Sequence, residues 1–106
     1  MVKQKVFVTR KIPYIGIKLL KKHFLVKVYQ KDKTIPKKEL LTEVKKCDAL
    51  LCLLTDKIDK KVFDANPNLK IVANYAVGFN NIDVNYAKKV NIPISNTPGK
   101  LISKAV

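Results

Sequence analysis

A doubly wound α/β fold, with a parallel sheet of about five strands and helices on both faces, is the class that this sequence predicts. Three observations carry that prediction. Short apolar runs alternate with stretches whose apolar residues recur at helical spacing, and the alternation covers the whole length. The apolar fraction of 47% is enough to bury a core, and 106 residues is the length of one domain. Strands that alternate with helices are parallel strands joined by crossovers, which leaves the sheet covered on both sides.

The elements follow in order. The run Val6-Phe7-Val8 reads as the first strand, and Ile17, Leu20 and Phe24 at helical spacing follow it, with Pro13 near the first turn where a missing amide hydrogen costs nothing. Leu25 to Tyr29 reads as the second strand. Pro36 opens a second helix carrying Leu40, Leu41 and Val44. Ala49 to Leu54 is the third strand, and Asp59 is expected to cap a helix bearing Val62, Phe63 and Ala65. Ile71 to Tyr75 is the fourth strand. Asp83 caps a last helix with Val84, Ala87 and Val90, and Ile92 to Ile94 closes the sheet.

Ligands of such sheets bind outside the carboxyl ends of the strands, near the point where strand order reverses. Three segments fall on that rim: Thr9-Arg10-Lys11-Ile12, Thr55-Asp56-Lys57, and Ala76 through Asn81. The stretch from Asn74 to Asp83 is the most informative. A strand ends there, Gly78 allows a positive φ or a close backbone approach, and a capped helix begins within five residues. Amide hydrogens in such a turn can seat a small anion such as a carboxylate. The plainer alternative is a β-α turn whose glycine only relieves strain.

Charge and rare residues narrow the chemistry. The net charge is +14, Arg10 is the one arginine, and nine bases precede the first acid, Asp32. Such a balance attracts polyanions. The lysines, however, are spread over every helical segment, and the aromatics occupy core-like positions instead of alternating with them, so a solvated Lys-rich surface is the expectation and nucleic-acid binding the alternative. Cys47 and Cys52 with the single histidine, His23, supply no zinc ligand set, which points to structural thiols in a reducing compartment and to no metal site. With three glycines, no glycine-rich phosphate cradle can form. No signal peptide or membrane-spanning run is present, so a cytoplasmic location is expected. His23 is the only imidazole available as a proton donor, and its place on a lysine-flanked helix before the second strand points to a surface role. Arg10 follows the first strand and could reach an anion.

Several segments carry a resemblance. Lys5 to Arg10 with Ile12-Pro13, Asp48 to Leu51 running to Leu54-Thr55, Pro67 to Gly78, Asn81-Ile82-Asp83, and Ile94-Ser95-Asn96-Thr97-Pro98-Gly99 together resemble the front of a D-isomer-specific 2-hydroxyacid dehydrogenase, closest to the glyoxylate/hydroxypyruvate reductase branch. The resemblance implies a flavodoxin-like substrate-binding domain over residues 1–99. It also implies a shortened hinge over 100–106, leading toward a separate domain that binds NAD(H) or NADP(H) in the family. Backbone amides at Val77 and Gly78 would help to hold the carboxylate of a small 2-oxo or 2-hydroxy acid, and the loop at Leu54 and Thr55 would line the same cleft. The family's catalytic arginine, glutamate and histidine and its G-x-G-x-x-G fingerprint match nothing in this sequence. The chain alone is therefore expected to bind no cofactor, to contribute no catalytic residue and to be inactive. Uncovered apolar surface would favour a homodimer, and docking onto a separate chain that completes a split reductase is a further alternative.

Overall fold

The computed structural model describes residues 4–11, 14–75 and 78–96. The elements run β1 (Lys5–Val8), α1 (Tyr14–His23), β2 (Leu25–Val28), α2 (Lys37–Val44), β3 (Ala49–Cys52), α3 (Lys60–Ala65), β4 (Ile71–Asn74), α4 (Val84–Lys89) and β5 (Ile94–Asn96). Every strand pairing is parallel, and the order is β2-β1-β3-β4-β5. This is the flavodoxin-like order, in which strand sequence reverses between β1 and β3.

Alternation along each strand sends side chains to two cores. Phe7, Leu50, Cys52 and Val72 point to the face packed by Leu40 and Val44 of α2, Val62 and Phe63 of α3, and Ala87 of α4. Val6, Val8 and Leu51 point to the opposite face, where Ile17 and Leu20 of α1 cover them. Helices on both faces are thus what the periodicity predicts.

The element ends differ from the sequence reading in ways that local chemistry explains. Pro36 is the N-cap of α2, one residue earlier than a first-turn position, in extended conformation with φ −60° and ψ 144°. Pro13 lies outside the described residues. Asp83 accepts a hydrogen bond from the Tyr86 amide at 3.0 Å and so caps α4 as expected. Asp59 precedes α3 but makes no side-chain cap bond. Its Oδ1 faces Lys37 Nζ at 3.1 Å instead. Burial works against the Asp59 charge, yet the hydrogen bond and charge of Lys37 outweigh it and pull the carboxyl below its usual range.

The last strand lies two residues beyond its expected start. Asn91 has φ 62°, the Ile92 amide donates to Ala87 O at 2.9 Å and the Asn91 amide to Lys88 O at 3.2 Å. This double hydrogen bond is a Schellman ending for α4. It turns buried Ile92 into the core beside Ala87, so the ladder starts only at Ile94, opposite Val72.

Cys47 and Cys52 are free and buried. Burial pushes the Cys47 thiol from 9.0 up to about 11 and the Cys52 thiol up to about 12. Both keep their protons in the folded chain where unfolded thiols ionise, so their stabilising contribution is full below pH 9 and fades as pH rises through 9 toward 11 and 12. Thiol reagents at pH 8 should leave both cysteines unlabelled in the native chain and label both after denaturation; fast native labelling of Cys52 would contradict this. Asn91→Val should cost about 1–2 kcal/mol in chemical denaturation, because a β-branched residue resists the left-handed region, whereas Asn91→Gly should cost nothing.

Candidate functional site

The site is built where β1, β3 and β4 end. A parallel ladder stops at these ends, and the next backbone groups need other partners. Asp56, 2% exposed, supplies one set: its Oδ2 accepts from the Thr9 hydroxyl and, at 2.9 Å, from the Leu53 amide. A buried carboxylate is tolerable only with such donors. The Asp56 amide also donates to Leu53 O at 2.9 Å, closing a tight turn. Leu54 and Thr55 are left exposed at its tip, Leu54 at 56%.

Asn74 ends β4 fully buried. Its Nδ2 donates to Gly78 O at 2.7 Å and to Asn81 Oδ1 at 2.9 Å. Asn81 Nδ2 donates in turn to Leu53 O at 3.0 Å and Asp56 O at 2.9 Å. The backbones of the two loops join as well, through a parallel bridge between Ile58 and Ile82. An open cleft results, with Leu54 and Thr55 on one wall and Asn80, Asn81 and Asp83 on the other. The carboxylates bordering it are engaged, Asp83 by the Tyr86 amide and Asp59 by Lys37.

The expected site residues therefore meet unequally. Leu54 and Thr55 line the cleft, Gly78 is tied to their loop through Asn74 and Asn81, and Val77 lies outside the described residues. Gly78 departs from the strain reading. Its φ is not in the left-handed region, and a Cβ built there meets no other atom within 4 Å. Nothing within the described fold requires glycine at this position.

His23 ends α1, exposed and edge-on to Phe24, at the end of the sheet where β2 begins, away from the rim where β1, β3 and β4 finish. Arg10 is half-buried at the end of β1, and its Nη2 donates to Thr34 Oγ1 at 3.0 Å. Among the described residues no cluster of His, Cys, Asp and Glu could hold a metal, and no helix is long and apolar enough to cross a membrane. Nor do the residues fit a dinucleotide: the turn after β1 reads Thr9-Arg10-Lys11-Ile12-Pro13 and has no glycine to admit a pyrophosphate. Sequence reasoning missed Asn74, Asn81, Thr9 and Asp56 as the frame of the site. The available signal was their place: Thr9, Asp56 and Asn81 fall in the three rim segments, and Asn74 is the polar residue within the fourth apolar run.

The family model for the D-isomer specific 2-hydroxyacid dehydrogenase, catalytic domain, matches residues 6–105. The chain belongs to this family. It is 52% identical over 99 residues to the glyoxylate reductases of Thermococcus onnurineus and of Pyrococcus horikoshii, covering 93% of this chain and 30% of each relative. The chain thus spans about 30% of the length of the curated relatives it matches. Among solved structures it is similar to the TT0316 protein from Thermus thermophilus, with a TM-score of 0.80 at 33% identity over 90% of this chain and 30% of that one. The NAD+-bound 3-phosphoglycerate dehydrogenase of Entamoeba histolytica shares the fold, with a TM-score of 0.77 at 23% identity over 93% of this chain and 34% of that one.

Gly78→Ala should fold with stability unchanged or raised by up to about 1 kcal/mol, because the added methyl meets open space and only restricts the unfolded chain. A loss above about 1 kcal/mol in urea denaturation would restore a structural role for this glycine.

Proposed function

We propose that this chain is the substrate-binding part of a glyoxylate reductase-like oxidoreductase, seating a small 2-oxo or 2-hydroxy acid at the carboxyl rim of its sheet. The observation that carries the reading is Gly78: a rim glycine tied through Asn74 and Asn81 to the loop of Leu54 and Thr55, without steric or torsional need for glycine in the described fold. A bare backbone there lets a carboxylate come close to main-chain amide hydrogens that a Cβ would screen. Leu54, exposed on the facing loop, offers apolar contact to the rest of a small acid, and Thr55 a hydroxyl. The family to which the chain belongs and its likeness to glyoxylate reductases support the substrate class.

Chemistry needs more than this seat. Reduction of a 2-oxo acid takes a hydride from a nicotinamide and a proton from a positioned acid. The one imidazole of the chain, His23, sits at the opposite end of the sheet, and among the described residues no turn carries the glycines that a dinucleotide pyrophosphate needs. In this reading the chain binds and orients the acid and does not itself supply the hydride or the proton. The net charge of +14 assists the approach of an anionic acid and is screened by salt.

The chain mixed with NADH or NADPH and glyoxylate should show no oxidation of the nucleotide above the uncatalysed rate and no quenching of its fluorescence, yet give saturable heat with glyoxylate alone. Gly78→Ala should weaken that binding by about tenfold, the worth of roughly one hydrogen bond to a charged group. Turnover by the purified chain, or glyoxylate binding indifferent to Gly78→Ala, would overturn the proposal.

A further inference from the structure

We infer that Asn81 is a positioning residue for the acid seat: its side-chain amide sets the loop bearing Leu54 and Thr55 against the turn bearing Gly78. The inference rests on the binding site proposed above and adds a residue of the cleft wall whose side-chain amide nitrogen is spent on the facing loop.

The two carbonyls that accept from Asn81 Nδ2, Leu53 O at 3.0 Å and Asp56 O at 2.9 Å, immediately flank Leu54 and Thr55. One nitrogen thereby brackets the exposed loop tip from beneath. The same nitrogen reaches Asn74 Oδ1 at 3.2 Å, while Asn81 Oδ1 accepts from Asn74 Nδ2 at 2.9 Å. Two hydrogens on Asn81 Nδ2 serve three acceptors, so the longest contact, to Asn74 Oδ1, shares one of them, and the bond to Asn81 Oδ1 leaves Asn74 Nδ2 a second hydrogen for Gly78 O at 2.7 Å. One pair of side chains thus links the Leu54–Thr55 loop to the Gly78 turn.

A separate device holds the chain together at this point. Buried Ile58 and Ile82 form the parallel bridge, with the Ile58 amide donating to Asn81 O at 2.8 Å and the Asp83 amide to Ile58 O at 2.9 Å. These bonds use only backbone atoms and survive any substitution of the Asn81 side chain. The side chain contributes the shape of the loop tip and the aim of Gly78, a division that makes its role separable from folding. Misplacement of a binding group by about 1 Å can cost up to about a hundredfold in function, so a loop freed of two hydrogen bonds has room to act.

The test is calorimetric titration with sodium glyoxylate of the unaltered chain, Asn81→Ala, Asn81→Ser and Val44→Ala, with thermal unfolding of each. Val44 is buried at the end of α2, outside the lining of the cleft, and its truncation lowers stability without touching either loop. Both Asn81 variants should bind glyoxylate at least about tenfold more weakly while remaining folded, and Val44→Ala should keep the affinity of the unaltered chain despite a lower Tm. Equal affinity in a folded Asn81 variant overturns the inference while leaving the seat at Gly78 intact. Equal weakening in Val44→Ala, or failure of both Asn81 variants to fold, also overturns it by assigning Asn81 to stability alone. Absence of saturable binding in the unaltered chain removes the seat itself, and this inference with it.

Discussion

Parallel strands all finish at one rim, and the backbone groups leaving the ladder there must find partners within the protein. The rim of this chain answers with side chains. Asn74, the last residue of β4, is wholly buried and joined to Asn81, and through that pair the carbonyls of Leu53, Asp56 and Gly78 are satisfied. The Asp56 carboxylate does the same for the Leu53 amide and the Thr9 hydroxyl. An unsatisfied buried polar group costs about 1–3 kcal/mol, so these bonds decide whether three loops can converge at all. The cleft is the space that they hold open.

That constraint explains the division between frame and surface. Asn74, Thr9 and Asp56, buried and hydrogen-bonded, lie outside the lining of the cleft, and exposed Leu54, Thr55 and Asn80 border it together with half-buried Asn81. Gly78 stands at the transition, its carbonyl held from below and the place of its missing side chain open. Buried polar networks are costly when half-satisfied and rigid when complete, and rigidity is what the proposed seat for a small acid requires. The opposite end of the sheet has its own, separate ties: Asn66 Nδ2 donates to Val44 O at 2.9 Å and to Cys47 O at 2.8 Å, and Asp48 Oδ2 accepts from the Lys5 amide at 2.8 Å.

Much of the fold was legible because its signals are local. The runs Val6–Val8 and Ala49–Leu54 and the spacing of Leu40 and Val44 report strands and helices directly, since burial on both faces of a parallel sheet demands continuous apolar runs. Strand ends were less legible. The shift of β5 to Ile94 follows from the left-handed turn at Asn91, which periodicity does not encode. Asp59 looked like a cap, but Lys37, 22 residues earlier, draws its carboxylate away, a contact that exists only in three dimensions. The seat itself was half legible. A glycine after a strand marks a turn, whereas the fact that nothing inside the fold needs that glycine, and the bond from Asn81 across 28 residues to Leu53, emerge only from tertiary structure.

The central claim is a place: a small 2-oxo acid sits at the carboxyl rim, between the Gly78 turn and the Leu54 loop. Amide chemical-shift mapping of the isotope-labelled chain during titration with glyoxylate tests that place most directly. Saturable shifts concentrated on Gly78, Leu54 and Thr55, with the amides of Lys18, Lys21 and Lys22 in α1 unmoved, are the result that the account predicts. Shifts confined to the lysine-bearing face of α1, or spread evenly over the surface, would contradict it.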